Sequence, residues 1–83
     1  MKDYRDTDFY GRFNALVVSA QVVQKKSIAE LAAEIDINVA TLNGYRYGRA
    51  LPNAENLLKI ADYFGVSTDY LLGREGYELE EKK

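Results

Sequence analysis

Histidine and cysteine are both absent from these 83 residues. That removes the commonest acid–base group, the thiol nucleophile, disulfides and the usual zinc ligands. The carboxylates have cap, surface or tail explanations, and no glycine-rich phosphate loop or paired metal ligands occur. No catalytic residue, cofactor or metal is therefore assigned, and an enzyme is not expected. What remains is hydrogen-bonding and charge chemistry between Ile37 and Ala54. This stretch holds Asn38, Thr41, Asn43, Arg46, Tyr47 and Arg49 and no acid, within a chain of net charge −2. The acids gather elsewhere, at Asp3, Asp6 and Asp8 and at Glu75, Glu78, Glu80 and Glu81. The distribution describes a locally positive face on an acidic body, with a weak field for a binder of anions.

Two short helices must position that face. Ser27 followed three residues later by Glu30 is a capping box, and Ile28, Leu31, Ala32 and Ile35 give the helix one buried side. Asp36 falls where the chain must turn, and aspartate tolerates a left-handed conformation. Asn38 then caps a second helix whose inward residues are Leu42 and Tyr45. Val39, Ala40, Asn43 and Gly44 are left pointing outward. Two helices joined by a tight turn, the second exposed, make a helix-turn-helix.

The surrounding chain supplies three more helices and no strand. Residues 1–7 are charged and polar and read as a flexible N-terminus. Asp8 can cap a long first helix to about Gln24, with Phe9, Phe13, Leu16, Ala20 and Val23 as an apolar stripe that Val17, Val18 and Val22 widen for core packing. Lys25 and Lys26 end it and suit its negative pole. Gly48 stops the central pair, and residues 49–52 connect to a helix capped by Asn53, with Leu57, Leu58, Ile60, Ala61 and Phe64 on its apolar side and Gly65 at its end. Ser67 caps a short fifth helix, in which Tyr70, Leu71 and Leu72 pack inward before Gly73. One all-α domain over 8–73 and a charged tail over 74–83 complete the layout. No apolar run approaches the roughly 20 residues of a membrane span and no signal peptide is visible, so a cytoplasmic protein is expected.

The pattern resembles the lambda-repressor-like helix-turn-helix regulators, the Cro-type or xenobiotic-response-element family of phage and prophage repressors. Ser27-x-x-Glu30-Leu31-Ala32, Thr41-Leu42-x-x-Tyr45, Gly48-x-x-x-Pro52 and the closing LLKIADYFGVSTDYLLG from Leu57 to Gly73 carry the resemblance, in order, over about Arg12 to Gly73. Departures are specific. Ile28 stands where the family often has glutamine, Asp36 where it has glycine and Arg46 where it often has glutamate. The turn between the first two helices lacks its usual glycine, and Leu16 to Ser27 is about one helical turn too long, as if residues 22–25 were inserted.

The resemblance implies a five-helix sequence-specific binder of double-stranded DNA, a transcriptional repressor whose recognition helix, about 39–46, enters the major groove of a pseudo-palindromic operator. By position, Val39, Ala40, Thr41, Asn43 and Gly44 match the base-facing set. Asn43 can pair with adenine and Val39 and Ala40 can meet thymine methyls, which implies an A·T-leaning half-site. Lys25, Lys26, Ser27, Asn38, Arg46, Tyr47 and Arg49, with Thr41, match backbone-contacting positions. Few cations imply a shallow salt dependence.

Other readings stay open for several residues. Ser27 and Asn38 are caps in any case, Tyr45 can be core, and Arg46 can pair with Glu34 or Asp36 instead of a phosphate. A homodimer is expected, paired through the fifth helix and tail by Tyr70, Tyr77 and Leu79; no membrane or small-molecule ligand is expected. The alternative is a protein–protein interaction module on the same fold, an antitoxin-like or regulator partner without DNA readout.

Overall fold

A computed structural model describes residues 3–74, and among these the only regular elements are five helices: α1 Asp8–Val23, α2 Ile28–Ile35, α3 Val39–Arg46, α4 Ala54–Phe64 and α5 Thr68–Leu72. Each start is held by a side-chain cap. Thr7 accepts from the Tyr10 N–H, Ser27 and Glu30 form the reciprocal capping box, and Asn38, Asn53 and Ser67 accept from the first turns of α3, α4 and α5. The cap of α1 is thus Thr7, not Asp8. Thr7 has the extended backbone a cap needs, and Asp8 lies in the first turn instead.

The core is built on aromatic contact between α1 and α3. Phe9 and Phe13 stack with ring centroids 5.1 Å apart, and both meet the Tyr45 ring edge-on, at 6.2 and 6.4 Å. Val17, Ala20, Leu31, Ala32, Ile35, Ile37, Leu42, Ile60, Ala61 and Leu71 complete it. Tyr45 is buried, with its hydroxyl accepting from the Asn56 amide at 2.9 Å, so its role is packing. Helix α1 also packs on α5, α2 on α3 and α4, and α4 on α5, which fixes the central pair from both sides.

Several apolar residues expected inside lie outside. Val18, Val22 and Val23 are 51, 69 and 74% exposed on α1, and Leu58 and Leu72 are exposed on α4 and α5. Beyond Ala20 no residue of α1 is buried, so the end of the helix adds length without adding core. The reversal that follows uses Lys25 in the left-handed region (φ 59°) where a glycine would be unstrained. Lys25 and Lys26 therefore lie beyond the last turn of α1, which contains no basic residue.

Asp36 takes the left-handed conformation its position requires (φ 71°, ψ 49°), and Lys59 donates to its carbonyl at 3.0 Å and lies 3.4 Å from its carboxylate. The segment read as a flexible N-terminus carries hydrogen bonds from Tyr4: its N–H reaches Gly48 O at 2.7 Å, and its carbonyl accepts from Thr7 Oγ1. Gly48 (φ 74°) has no room for a side chain, because a Cβ there would lie 2.4 Å from Arg5 Cγ. Tyr77 and Leu79 lie outside the described residues.

Candidate nucleic-acid interface

Helix α3 presents its polar edge because its other edge is consumed by the core. Leu42 and Tyr45 are buried, so Val39, Ala40 and Thr41 come out exposed, with Asn43 and Gly44 half-buried beside them on the outward side. The five residues expected at base edges thus share one face. A Cβ at Gly44 would meet nothing within 4 Å, so this position is open surface and not a packing requirement. Asn38 spends its carbonyl oxygen on the Ala40 N–H at 2.8 Å and more weakly on Thr41 N–H at 3.4 Å, which leaves the amide NH2 to face outward as a donor.

The cations sort into three kinds. Tyr47, half exposed at the C-terminal end of α3, has the guanidinium carbons of Arg46 and Arg49 each 5.5 Å from its ring centroid. This gathers two positive charges beside the outward face of α3. Arg49 is exposed there, and its N–H donates to Gly44 O at 2.9 Å, so the loop's backbone is tied to the helix. Arg46 is tied to the helix by its side chain: Nη1 donates to Asn43 Oδ1 at 3.2 Å, and Nε is shielded from solvent without a partner. Glu34 and Asp36 do not take Arg46, because each has a nearer lysine.

Lys26 is the third kind. Its ammonium lies 2.6 Å from Glu34 Oε1, an oxygen that also accepts from the Tyr63 hydroxyl. The Lys26 hydrogen bond, then that from Tyr63, hold the Glu34 carboxyl below the ordinary carboxylate range, while the bond to Glu34 pushes the Lys26 ammonium and the Tyr63 hydroxyl up. A carboxyl depressed on folding contributes stability that is complete above its unfolded value and lost as pH falls through the folded one. The raised Lys26 and Tyr63 contribute below their unfolded values and lose that contribution at strongly alkaline pH. Glu34→Gln is therefore expected to melt below the wild type at neutral pH, with the gap closing as pH drops through and below 4.5, the ordinary value for this carboxyl; melting curves across pH 3–8 check it, and a gap that persists in acid would remove the ionic account. Sequence reasoning missed this cluster because its members come from a loop, α2 and α4. Lys25, by contrast, is exposed with its strained backbone, and Ser27 caps α2, its Oγ accepting from the Glu30 N–H and its own N–H donating to Glu30 Oε1.

Five helices with a capped α2, a three-residue turn at 36–38 and an outward-facing α3 define a helix-turn-helix regulator of the Cro/C1 type. The comparisons agree: the family model for helix-turn-helix proteins matches residues 24–71, more than half of the chain, and the chain belongs to that family. Among curated proteins it is similar to the cryptic phage CTXphi transcriptional repressor RstR of Vibrio cholerae serotype O1, at 45% identity over 49 residues, which is 59% of this chain and 44% of the relative. The chain thus spans less than half the length of that relative. No solved structure matches. The family makes it a DNA-binding regulator and not an enzyme. No helix among the described residues is long and apolar enough to cross a membrane.

Proposed function

We propose that this chain is a phage-type transcriptional repressor that seats α3 in the major groove of a pseudo-palindromic operator and binds there as a homodimer in the bacterial cytoplasm, at the nucleoid. The observation that carries this reading is the outward set of α3, Val39, Ala40, Thr41, Asn43 and Gly44, bordered by the Tyr47–Arg49 cluster. Asn43 reads a base edge, with adenine as its bidentate partner, and Val39 and Ala40 lie against thymine methyl groups. Arg49, the Asn38 amide, Thr41, Tyr47 and Lys25 hold phosphates and fix register. Lys26 shares its charge with Glu34, so its phosphate contact is weaker than its sequence position implies. Direct readout by such a set is modest, and DNA shape supplies the remainder.

The second copy is assigned to the outer strip of α1, from Gly11 through Ala15, Val18 and Val22 to Val23. Residues 13–24 contain no charge, so two copies meet there without repulsion. Tyr70, the alternative on α5, is half-buried and already faces Arg12, whose guanidinium lies 4.5 Å from its ring centroid. The strip runs roughly 18 Å at 1.5 Å per residue. A helix face of that length buries a few hundred Å², well under the roughly 800 Å² per partner of a standard interface. Pairing is therefore weak in solution and completed on the operator.

Selection of duplexes from a random pool, at about 50 mM salt where phosphate contacts are least screened, tests both parts. Wild type is expected to enrich an A·T-leaning inverted repeat with half-sites about one helical turn apart. Asn43→Ala loses preference, Arg49→Ala loses affinity alone, and Val22→Glu enriches single half-sites. Retention of no duplex would overturn the DNA reading in favour of a protein partner for α3, and an unchanged inverted repeat with Val22→Glu would remove the α1 interface.

A further inference from the structure

We propose that Arg46 is a positioning residue for sequence readout: it fixes which way round the Asn43 amide is presented to the groove, and so sets base preference at one operator position without touching a base. The inference rests on the reading of Asn43 as a base-contacting residue.

A carboxamide is nearly symmetric in shape and opposite in chemistry at its two ends. Its terminal torsion is broad and two-fold, so a free asparagine on a helix surface presents either the oxygen or the NH2. The two faces choose different bases. An outward NH2 donates to the major-groove acceptors, N7 and O6 of guanine, N7 of adenine and O4 of thymine, whereas an outward oxygen accepts from the exocyclic amines of adenine and cytosine. Bidentate pairing with adenine requires one orientation only.

In this chain the choice is made by a neighbour. Arg46 Nη1 donates to Asn43 Oδ1 at 3.2 Å, and a guanidinium carries no acceptor, so it can face only the oxygen of the amide. The NH2 is thereby turned away from Arg46, while the second lone pair of Oδ1 stays available for an adenine amine. Arg46 is itself held. Its guanidinium carbon lies 5.5 Å from the Tyr47 ring centroid, its Nε is enclosed, and its backbone carbonyl accepts from Asn14 Nδ2 at 3.1 Å. The same Asn14 nitrogen donates to Tyr10 O at 2.9 Å, which anchors the end of α3 to α1. The latch therefore runs from the rigid first helix through Arg46 to the one polar side chain on the outward face able to read a base in two places.

The consequence separates Arg46 from a phosphate ligand. Loss of a phosphate contact weakens binding equally on every sequence, whereas loss of the latch frees the amide and relaxes preference at a single base pair. The test uses the duplex selected by the wild-type chain, with each of the four base pairs placed in turn at the position whose preference Asn43→Ala abolishes. Wild type is expected to discriminate there by roughly tenfold or more, the scale of one bidentate pair. Arg46→Met keeps an aliphatic stem over Tyr47 and removes the donor. It is expected to lower discrimination at that position by about twofold or more, the weight of a two-fold torsion left free, with cytosine gaining most, and to leave other positions unchanged. Arg46→Lys restores a donor toward Oδ1 and is expected to recover most of the preference. Thermal melting of each variant establishes that it is folded, and Arg46→Ala, which also removes the donor, carries the test if Arg46→Met is not. A uniform loss across all four base pairs would overturn the proposal and make Arg46 a phosphate ligand. If Asn43→Ala changes preference at no position, the reading of Asn43 itself fails. If it does change one, and Arg46→Met leaves that position untouched, only the latch fails.

Discussion

Phe13→Ala is expected to remove about 3–5 kcal/mol of folding stability, the cost of truncating a buried aromatic and leaving a cavity behind it. Phe13 is fully buried, stacks on Phe9 and meets the Tyr45 ring edge-on, so its ring contacts two aromatic neighbours from two helices. Small domains have roughly 5–15 kcal/mol in total, and for this size each kcal/mol moves the melting point by about 4–8 °C. A fall of roughly 12–40 °C follows, within reach of unfolding at growth temperature. Because the same three rings join α1 to α3, duplex binding is expected to disappear along the same melting curve. Val22→Ala on the same helix is the internal control: Val22 is 69% exposed, and its loss is expected to stay within about 0.5 kcal/mol. Denaturant midpoints compare the two variants directly. Equal effects would mean that the aromatic cluster does not organise the domain.

The contrast between Phe13 and Val22 also marks what a sequence can and cannot disclose. Both lie on the apolar side of one amphipathic pattern, and periodicity gives the direction of a stripe but not how far a neighbouring helix covers it. The pattern therefore assigns Val18, Val22 and Val23 inward with Phe13 and Val17, although only the latter pair is buried. Local chemistry was far more legible. The caps at Ser27, Asn38, Asn53 and Ser67, the left-handed Asp36 and the outward residues of α3 each depend on atoms within a few positions along the chain. The first cap falls on Thr7 and not Asp8, because both have the chemistry of a cap and only the backbone angle distinguishes them. The fate of the charges was the least legible. Lys26 finds Glu34 eight residues on, Glu34 is shared with Tyr63 from α4, and Lys59 takes Asp36. Those pairings, made by packing, leave Arg46 to the only partner of suitable polarity one turn away, Asn43.

Ala40→Glu is expected to separate stability from function more sharply than any other single change. Ala40 is exposed at the second position of α3, and its N–H is already satisfied by the Asn38 side chain. A carboxylate in the first turn of a helix gains about 0.3–1 kcal/mol from the macrodipole, against a few tenths lost in helix propensity relative to alanine. The variant should therefore melt at or slightly above the wild type. On DNA the balance reverses. The new carboxylate would stand between base edges and phosphates in the groove, where a like charge costs several kcal/mol, so affinity is expected to fall at least about 100-fold. Ala40→Gln places the same bulk there without the charge, and the part of the loss that it spares measures the electrostatic share. Raising the salt narrows the gap between the two variants if the repulsion comes from phosphates. Should Ala40→Glu bind duplex as well as the wild type, the N-terminal turn of α3 does not enter the groove. The same exposed, uncharged Val39–Ala40 surface would then be the place to look for a protein partner.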